Sequence, residues 1–474
     1  MDGLLKDDVS KDGLLMQIAA IVGGGNVLTG DDVSARSVDW LSAAGCRAGA
    51  IVRPASTDEL AAVMRACHGA HQPVVTHGGL TGLVHGAEAE PSEVVISLER
   101  MTTIEDIDPI GNTLTVQAGA PLQKVQEAAE GAGRQFALDL GARGSCTIGG
   151  NIATNAGGIR VIRYGMMRQQ VLGLEAVLAD GTVVSSMNRM LKNNAGFDLK
   201  QLFIGSEGTL GIVTRAVLQL RPPTSDVQTA LVACPSFEAV TGLLAHMGQA
   251  LGGNLAAFEA MWQSHYRLLT EQSGRHTPPL ATDAPFYVIL ESLGTDAESH
   301  AALFSKALEA ALEQQLIEDA VVAHSASQRQ GIWDIREDIE GLIQTLAPLF
   351  TFDVSLPIAE MERYVAKVEA AITHDWPDGR MVTFGHLGDG NLHLSVSVGS
   401  HADETRHAVE AHVYSPLAEL GGSVSAEHGI GLEKRAYLSI SRTPEEIALM
   451  HTLKQAMDPL GLLNRHKVLA PAAG

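Results

Sequence analysis

Thr76-His77-Gly78-Gly79-Leu80-Thr81-Gly82-Leu83-Val84-His85-Gly86-Ala87 follows the apolar pair Val74-Val75 and packs four glycines into the nine positions from Gly78 to Gly86. Backbone without side chains can approach a pyrophosphate closely and aim N–H groups at it. A second loop, Gly141 to Gly158, repeats the theme: Gly149, Gly150, Gly157 and Gly158 alternate with Ser145, Thr147, Asn151 and Asn155. For any single glycine a tight turn is the commoner reason. Two dense loops in one region favour a clamp on a long dinucleotide. Neither loop reads G-x-G-x-x-G, and G-x-x-x-x-G-K-[ST] is absent, so a nucleotide here needs a scaffold other than the Rossmann or P-loop folds.

Outward from that loop, residues 51–223 alternate short apolar strands with amphipathic helices. Ser56-Thr57-Asp58-Glu59 reads as a capping box, with Leu60, Val63, Met64 and Cys67 following at helical spacing. Strands are expected at Val74–Thr76, Val94–Leu98 and Thr113–Ala118. A short helix should open with Pro121 at its first position, and a hairpin should turn at Asp180-Gly181. Pro222-Pro223 marks a boundary. Beyond it, helical stretches near residues 296–317 and 360–374 alternate with strands such as Phe286–Leu290, as in a helix-covered sheet. The expected division is a first domain over 1–222, an α+β cap over 223–442 and a segment over 443–474 that returns to the first domain.

A chain of 474 residues exceeds what one core usually organises. With 33 basic against 55 acidic residues the formal charge is −22, which disfavours nucleic acid and anionic membranes as partners. Cys46, Cys67, Cys146 and Cys234 are scattered without C-x-x-C spacing, as in a reduced compartment. The acidic start Met1–Asp8 lacks the features of a signal or transit peptide. No run approaches the roughly 20 apolar residues of a membrane helix. A cytoplasmic protein is expected.

The richest chemistry lies in His386-Leu387-Gly388-Asp389-Gly390-Asn391-Leu392-His393. A two-residue turn at Asp389-Gly390 would pair His386 directly with His393, bringing their Cβ atoms to about 5 Å. Glu427 and His428, in a glycine-flanked loop, add a carboxylate and a third imidazole. His386, His393 and Glu427 form the ligand set of a catalytic zinc-type centre with an open position; manganese and iron accept similar donors. This chain has 18 histidines, and most histidines are ordinary hydrogen-bonded residues. Asp389 is accounted for by its turn.

These stretches, together with Asn193–Ile212 and Glu427–Gly431, resemble the FAD-linked D-2-hydroxy acid dehydrogenases, whose fold is that of the vanillyl-alcohol oxidase flavoproteins. Arg160, Tyr164-Gly165 and the Asn193–Ile212 run are most similar to the D-2-hydroxyglutarate dehydrogenase branch. The resemblance covers nearly the whole chain. It implies an α+β fold with an FAD-binding domain of the vanillyl-alcohol oxidase and p-cresol methylhydroxylase type and a cap carrying the metal site. It implies FAD contacts at Thr76, Gly78, Gly79, Leu80, Thr81, Gly82, Leu83, Gly86, Gly149, Gly150, Asn151, Asn155, Gly157, Gly158, Glu207, Gly208 and Ile212. Relatives with a covalent flavin carry histidine directly after the glycine pair; Leu80 stands there, so non-covalent FAD is expected.

The implied reaction oxidises a D-2-hydroxy acid, a small molecule, to the 2-oxo acid. The ion on His386, His393 and Glu427 chelates the substrate hydroxyl and a carboxylate oxygen, His428 takes the proton, and FAD accepts the hydride. An electron-transfer flavoprotein or a quinone would reoxidise the flavin, and the candidate assembly is a homodimer. Arg336 matches a position that binds a substrate carboxylate, with an i+4 pair to Glu340 as the competing account. Three substrate positions depart from the branch: Glu340 stands for threonine, Thr351 for lysine and Ser395 for asparagine. Losing a cation and gaining an anion should turn the preference from dicarboxylates to D-lactate-like monocarboxylates. Asn464-Arg465-His466-Lys467 likewise departs from the usual Asn-Pro-Gly-Lys. The alternatives are a flavoprotein oxidase using oxygen and a non-catalytic flavin-binding subunit of a redox complex.

Overall fold

The computed structural model describes residues 11–39 and 45–471; the acidic start Met1–Asp8 lies outside them. The chain forms two compact units. The first comprises the segment up to Gly158, Gly165–Pro222 and the chain from Glu427 onward. The second comprises Ile159–Tyr164 and Pro223–Ala426.

The first unit has two sheets. In one, Ala50–Val52, Val94–Ser97 and Val74–His77 run parallel, with Val27–Leu28 antiparallel at the edge. These strands are almost wholly apolar and buried, as parallel strands covered on both faces must be. The other is an antiparallel sheet in the order Ile104–Asp108, Thr113–Gln117, Ile212–Gln219, Val171–Val177 and Val183–Ser186. One core joins them, with Val94 and Ile96 from the first sheet, Leu114 and Leu218 from the second, and Leu60, Val63 and Met64 from the helix Thr57–Gly69. Each such side chain contributes about 1.5–3 kcal/mol on leaving water.

Ser56 caps its helix by accepting from Glu59 N, but the Glu59 carboxylate reaches back to Ala55 N rather than to Ser56 N. Pro121 sits at the N-cap of Leu122–Gly131, one position before that expected, because its extended backbone leaves the helix to begin at Leu122. The Asp180-Gly181 hairpin forms, with Val177 opposite Val183 and Gly181 at φ +82°.

The second unit is a seven-stranded antiparallel sheet in the order Asp319–Val322, Asp226–Cys234, Phe286–Gly294, Leu255–Trp262, Arg380–Gly385, Asn391–Ser397 and Phe350–Ser355. The helices expected here run Ala297–Glu313, with Asp296 as N-cap, and Met361–Asp375. Their apolar positions fall on one side, including Phe304, Ala307, Leu308 and Ala311 in one and Tyr364, Val365, Val368 and Ile372 in the other.

Two crossings depart from the sequence-based division. Ile159–Tyr164 enters the second unit, where Arg163 Nη1 donates to Leu293 O at 2.6 Å. The return comes at Glu427, ahead of residue 443, because Glu427–Gly431 is bonded into the first unit as described below. The later tail follows the same course: Val74 N donates to Leu462 O and Asn464 N to Val74 O, both within 2.9 Å. Thr443 and Glu446 form a full capping box on Pro444–Met457.

Candidate active site

In the first unit the two glycine loops meet. A Cβ on Gly79 would lie 2.2 Å from Ser145 O, and one on Gly78 2.8 Å from Thr147 Oγ1. The loops therefore interlock through bare backbone. Between them lies a cleft of ≈ 350 Å³, lined by Thr76, Gly78–Ala87, Gly150, Asn151, Gly157, Glu207, Asn464, Glu427 and His428. Five non-glycine residues in or beside it take positive φ: Leu80, His85, Asn155, Glu207 and Asn464. Such backbone is uncommon outside glycine and concentrates where a fold is shaped around a ligand.

Of the residues expected to touch the cofactor, Thr76, Gly78, Gly79, Leu80, Thr81, Gly82, Leu83, Gly86, Gly150, Asn151, Gly157 and Glu207 line this cleft. Gly149, Asn155, Gly158, Gly208 and Ile212 stand behind it. A Cβ on Gly149 would meet Ala118 Cβ at 2.8 Å and one on Gly158 would meet Asp139 O at 2.0 Å. Asn155 Oδ1 accepts from Arg168 N, and Ile212 is buried at the head of its strand. His77 Nε2 donates to Ala87 O at 2.7 Å and burial pushes its pKa down to about 4, so it closes the loop as a neutral ring.

Glu207 organises the approach of Glu427 and His428. Its two carboxylate oxygens accept from Ile430 N at 2.7 Å and Gly431 N at 2.8 Å. Burial raises its pKa, opposed by these two N–H groups and by the charges of Lys434 and Lys467. Gly431 lies against Val84, where a Cβ would fall 2.0 Å from its carbonyl oxygen. Thus held, Glu427 accepts from Gly158 N at 3.1 Å. Asn464 completes the arrangement, donating to Glu207 O at 2.6 Å and accepting from Thr76 N at 3.0 Å. Lys467 Nζ donates to Glu88 O at 2.8 Å, and burial lowers its pKa to about 8. The altered tail thus keeps both its Asn and its Lys; His466, where glycine is usual, takes φ +65°.

In the second unit, strand parity builds a polar stripe on one sheet face. His393 pairs Phe384, Phe384 pairs Met261, and Glu259 lies two residues from Met261 on the same face. Glu291 and Thr229 follow on the next strands, and Asp353, Thr351 and Ser395 on the other side. The helix Ala326–Glu337 lies across this face, and two of its side chains three positions apart engage the two buried carboxylates. Trp333 Nε1 donates to Glu291 at 2.9 Å, and Arg336 pairs with Glu259 at 3.0 Å. Arg336 Cζ also sits 4.6 Å from the centre of the Phe384 ring. Arg160 pairs with Glu291. The pairing of Arg336 with Glu340 is overturned: Glu340 is exposed and accepts from Gln344, because the helix breaks at Asp338 between them.

The His386–His393 turn is longer than two residues. Register runs Phe384 to His393, and Leu387–Asp389 forms a 3₁₀ turn closed by Asn391 N donating to His386 O. Gly390, at φ +90°, takes the left-handed position alone. The type I′ turn does not form, since only Gly390 takes a positive φ; Gly388 instead packs against Ile162 and Phe258, where a Cβ would meet Ile162 Cδ1 at 2.8 Å. The imidazoles nonetheless come together, with ring centroids 5.4 Å apart and planes at 81°. His386 Nδ1 meets Glu259 Oε1 at 2.7 Å, and Nε2 lies 3.5 Å from Arg336 Nη2. Burial would raise the Glu259 carboxyl, but the His386 and Arg336 charges and bonds outweigh it, and the net shift is downward.

Thr351 and Ser395 are cross-strand partners on the His393 face; Thr351 is exposed and Ser395 buried. Asp353, the partner of His393, accepts from Asn391 Nδ2 at 2.7 Å and from Ala426 N at 3.0 Å. Sequence reasoning missed Glu259 and Glu291. Each is a lone carboxylate inside an apolar strand, in Leu255–Trp262 and Phe286–Gly294, and a charge there demands a buried partner.

Comparison with known proteins agrees with this architecture. Residues 48–186 match the FAD binding domain family, and residues 224–468 match the C-terminal domain of FAD linked oxidases. The mitochondrial D-2-hydroxyglutarate dehydrogenase of Bos taurus is 37% identical over 97% of this chain and 84% of its own. The D-2-hydroxyglutarate dehydrogenase of Xanthomonas citri pv. viticola is 41% identical over 88% of this chain and 89% of its own. Among solved structures, p-cresol methylhydroxylase superposes with a TM-score of 0.76 at 15% identity, over 100% of this chain and 99% of that one. 4-Ethylphenol oxidase from Gulosibacter chungangensis gives 0.72 at 15% identity, over 99% of each. The expected α+β flavoprotein fold is borne out, and the chain belongs to the FAD-linked D-2-hydroxy acid dehydrogenase family.

Proposed function

We propose that this protein is an FAD- and divalent-metal-dependent dehydrogenase that converts a D-2-hydroxy acid to its 2-oxo acid. The observation that carries the metal reading is the His386–His393 pair, with ring centroids 5.4 Å apart and a carboxylate, Glu259, behind His386 Nδ1. Glu427 is the third ligand in this reading. Its chain neighbour Ala426 donates to Asp353, the register partner of His393. Two imidazoles and a carboxylate suit zinc first, with manganese and iron as alternatives. The glycine cleft suits FAD: bare backbone lines its walls, and Glu427 and His428 are among its lining residues. Leu80 offers no nucleophile, which supports non-covalent binding.

When bound, FAD supplies the two-electron sink and the metal ion the Lewis acidity that makes a hydroxyl easier to deprotonate. The residues do the rest. Arg336, anchored on Glu259, directs its remaining donors to the substrate carboxylate. His428 Nδ1 or Nε2 takes the hydroxyl proton.

The side-chain preference proposed is for a D-lactate-like monocarboxylate. The arginines paired on the polar face, Arg336 and Arg160, are matched by Glu259 and Glu291, and the Thr351–Ser395 pair adds hydroxyls but no cation. Four buried, free cysteines support a reducing, cytoplasmic setting, although the bovine relative is named as mitochondrial. Among the described residues no helix is long and apolar enough to cross a membrane. An electron-transfer flavoprotein or a quinone is the proposed acceptor and a homodimer the proposed assembly.

The test is anaerobic bleaching of the bound flavin by D-lactate, D-2-hydroxyglutarate and their L-enantiomers. Bleaching by D-lactate in preference to D-2-hydroxyglutarate is expected. Faster bleaching by D-2-hydroxyglutarate would overturn the substrate preference, and silence with every D-acid would overturn the activity.

A further inference from the structure

We infer that Glu259 is a positioning residue that sets two parts of the site at once: the ring tautomer of His386 and the direction of Arg336. The inference rests on the metal reading of His386 proposed above. Glu259 lies mid-strand with 1% exposure, and its two oxygens are divided between two partners. Oε1 faces His386 Nδ1 at 2.7 Å. Oε2 accepts from Arg336 Nε at 3.1 Å and stands 3.0 Å from Nη2.

A carboxylate cannot donate, so the short contact requires the proton to sit on His386 Nδ1. The lone pair then falls on Nε2, where a metal can take it. A hydrogen-bonded carboxylate behind a ligating imidazole also raises its basicity and fixes its plane. On the other side, Arg336 Nη2 lies 3.5 Å from His386 Nε2. An unneutralised guanidinium at that distance would oppose a divalent cation. Glu259 supplies the compensating charge while occupying Nε, which leaves Nη1 and the outer edge of the fork for substrate. Gln would keep the shape and one acceptor, remove the charge, and place an NH₂ against either His386 Nδ1–H or the Arg336 fork.

The measurement is made on FAD-loaded protein stripped of metal and reloaded with zinc. In wild type, ¹⁵N-histidine spectra of the zinc form should show His386 protonated at Nδ1 and metal-bound at Nε2, with the resonance assigned by its loss in His386→Gln. Chelator competition should show Glu259→Gln binding zinc about 10- to 100-fold more weakly. At saturating zinc the variant should regain kcat more fully than KM, because the orientation of Arg336 remains lost.

A His386 ring bound to zinc through Nδ1, or unchanged zinc affinity in a folded Glu259→Gln, overturns the inference. Should that variant not fold, the wild-type tautomer decides alone. Failure of the parent reading is distinct: zinc would then bind wild type and His386→Gln with equal affinity, and the His386 resonance would not move on loading.

Discussion

Gly79 and Gly82 belong to one loop, yet replacing each with alanine should damage different things. A Cβ at Gly79 would meet Ser145 O at 2.2 Å and Cys146 Cα at 2.7 Å. Ordinary contact begins at 3.4 Å, so the two loops must part by about 3.4 − 2.2 = 1.2 Å. Both obstructing atoms are backbone and cannot swing aside. Forcing extra volume into such a contact costs about 1–3 kcal/mol, a factor of roughly 5 to 150 in an equilibrium. At Gly82 a Cβ meets nothing within 4 Å, and alanine should leave the fold alone or stabilise it by about 0.4–1 kcal/mol through the unfolded chain. Gly82 nevertheless lines the cleft, so its methyl group would intrude on the bound cofactor. Chemical denaturation of FAD-free protein, followed by fluorescence titration with FAD, separates the two effects. Gly79→Ala should lower stability before any flavin is added, whereas Gly82→Ala should lose affinity for FAD without losing stability. Equal midpoints for FAD-free Gly79→Ala and wild type would refute the interlocking of the loops, as would a Gly82→Ala protein that is destabilised to the same degree.

Other perturbations follow from the same geometry. His393→Ala should abolish stoichiometric metal binding and reduce kcat at least about 100-fold, with FAD content unchanged by absorbance; retained metal would remove His393 from the ligand set. Asp338 caps Ile339–Leu346 and pairs with Arg275 and His276; burial opposes these bonds, but they hold its pKa at about 2. That stabilisation is present above the ordinary carboxylate pKa of 3.8 and is lost as pH falls toward 2. Asp338→Ala should therefore cost about 1–2 kcal/mol at pH 6, and the gap from wild type in urea midpoint should narrow below pH 4. His265 is fully buried against Phe384, and burial together with the Arg336 charge lowers its pKa to about 3. Between pH 6.5 and 3 the unfolded chain binds a proton that the native ring refuses, so stability must fall with pH across that window. His265→Phe should flatten this slope by up to about 1.4 kcal/mol per pH unit; an unchanged slope would deny the ring its neutral state.

Much of the fold was legible because local signals and tertiary packing agree. The strand at Val94, the helix after Ser56 and the Asp180-Gly181 hairpin depend on neighbouring residues, and each formed near its expected bounds. The His386–His393 pairing was right in outcome and wrong in geometry. Turn preference favours Asp389-Gly390, but the chain forms a longer 3₁₀ turn in which Gly388 packs against Ile162, and residues more than 200 positions apart leave no trace in a local pattern. The same limit hid the pairing of Arg336 with Glu259 instead of Glu340, since helical spacing reveals i+4 neighbours and cannot reveal a carboxylate on another strand. What the chain did disclose was the anomaly itself. A charged residue inside Leu255–Trp262 signals an obligatory buried partner, although not its identity.

The discontinuity of the first unit has a consequence for biogenesis. Its last segment closes against residues made some four hundred positions earlier: Asn464 bonds to Thr76, and Lys467 to Glu88. Emerging from the ribosome, the chain can complete the sheet of Pro223–Ala426 while the glycine cleft still lacks one wall. Long-range closure of this kind is slow, and an apolar core left open during it invites aggregation. Closure of the cleft therefore waits on the segment that carries Asn464 and Lys467. A nascent chain can hold a nearly finished antiparallel sheet and still have an open glycine cleft, which closes only once Asn464 and Lys467 fold back onto Thr76 and Glu88.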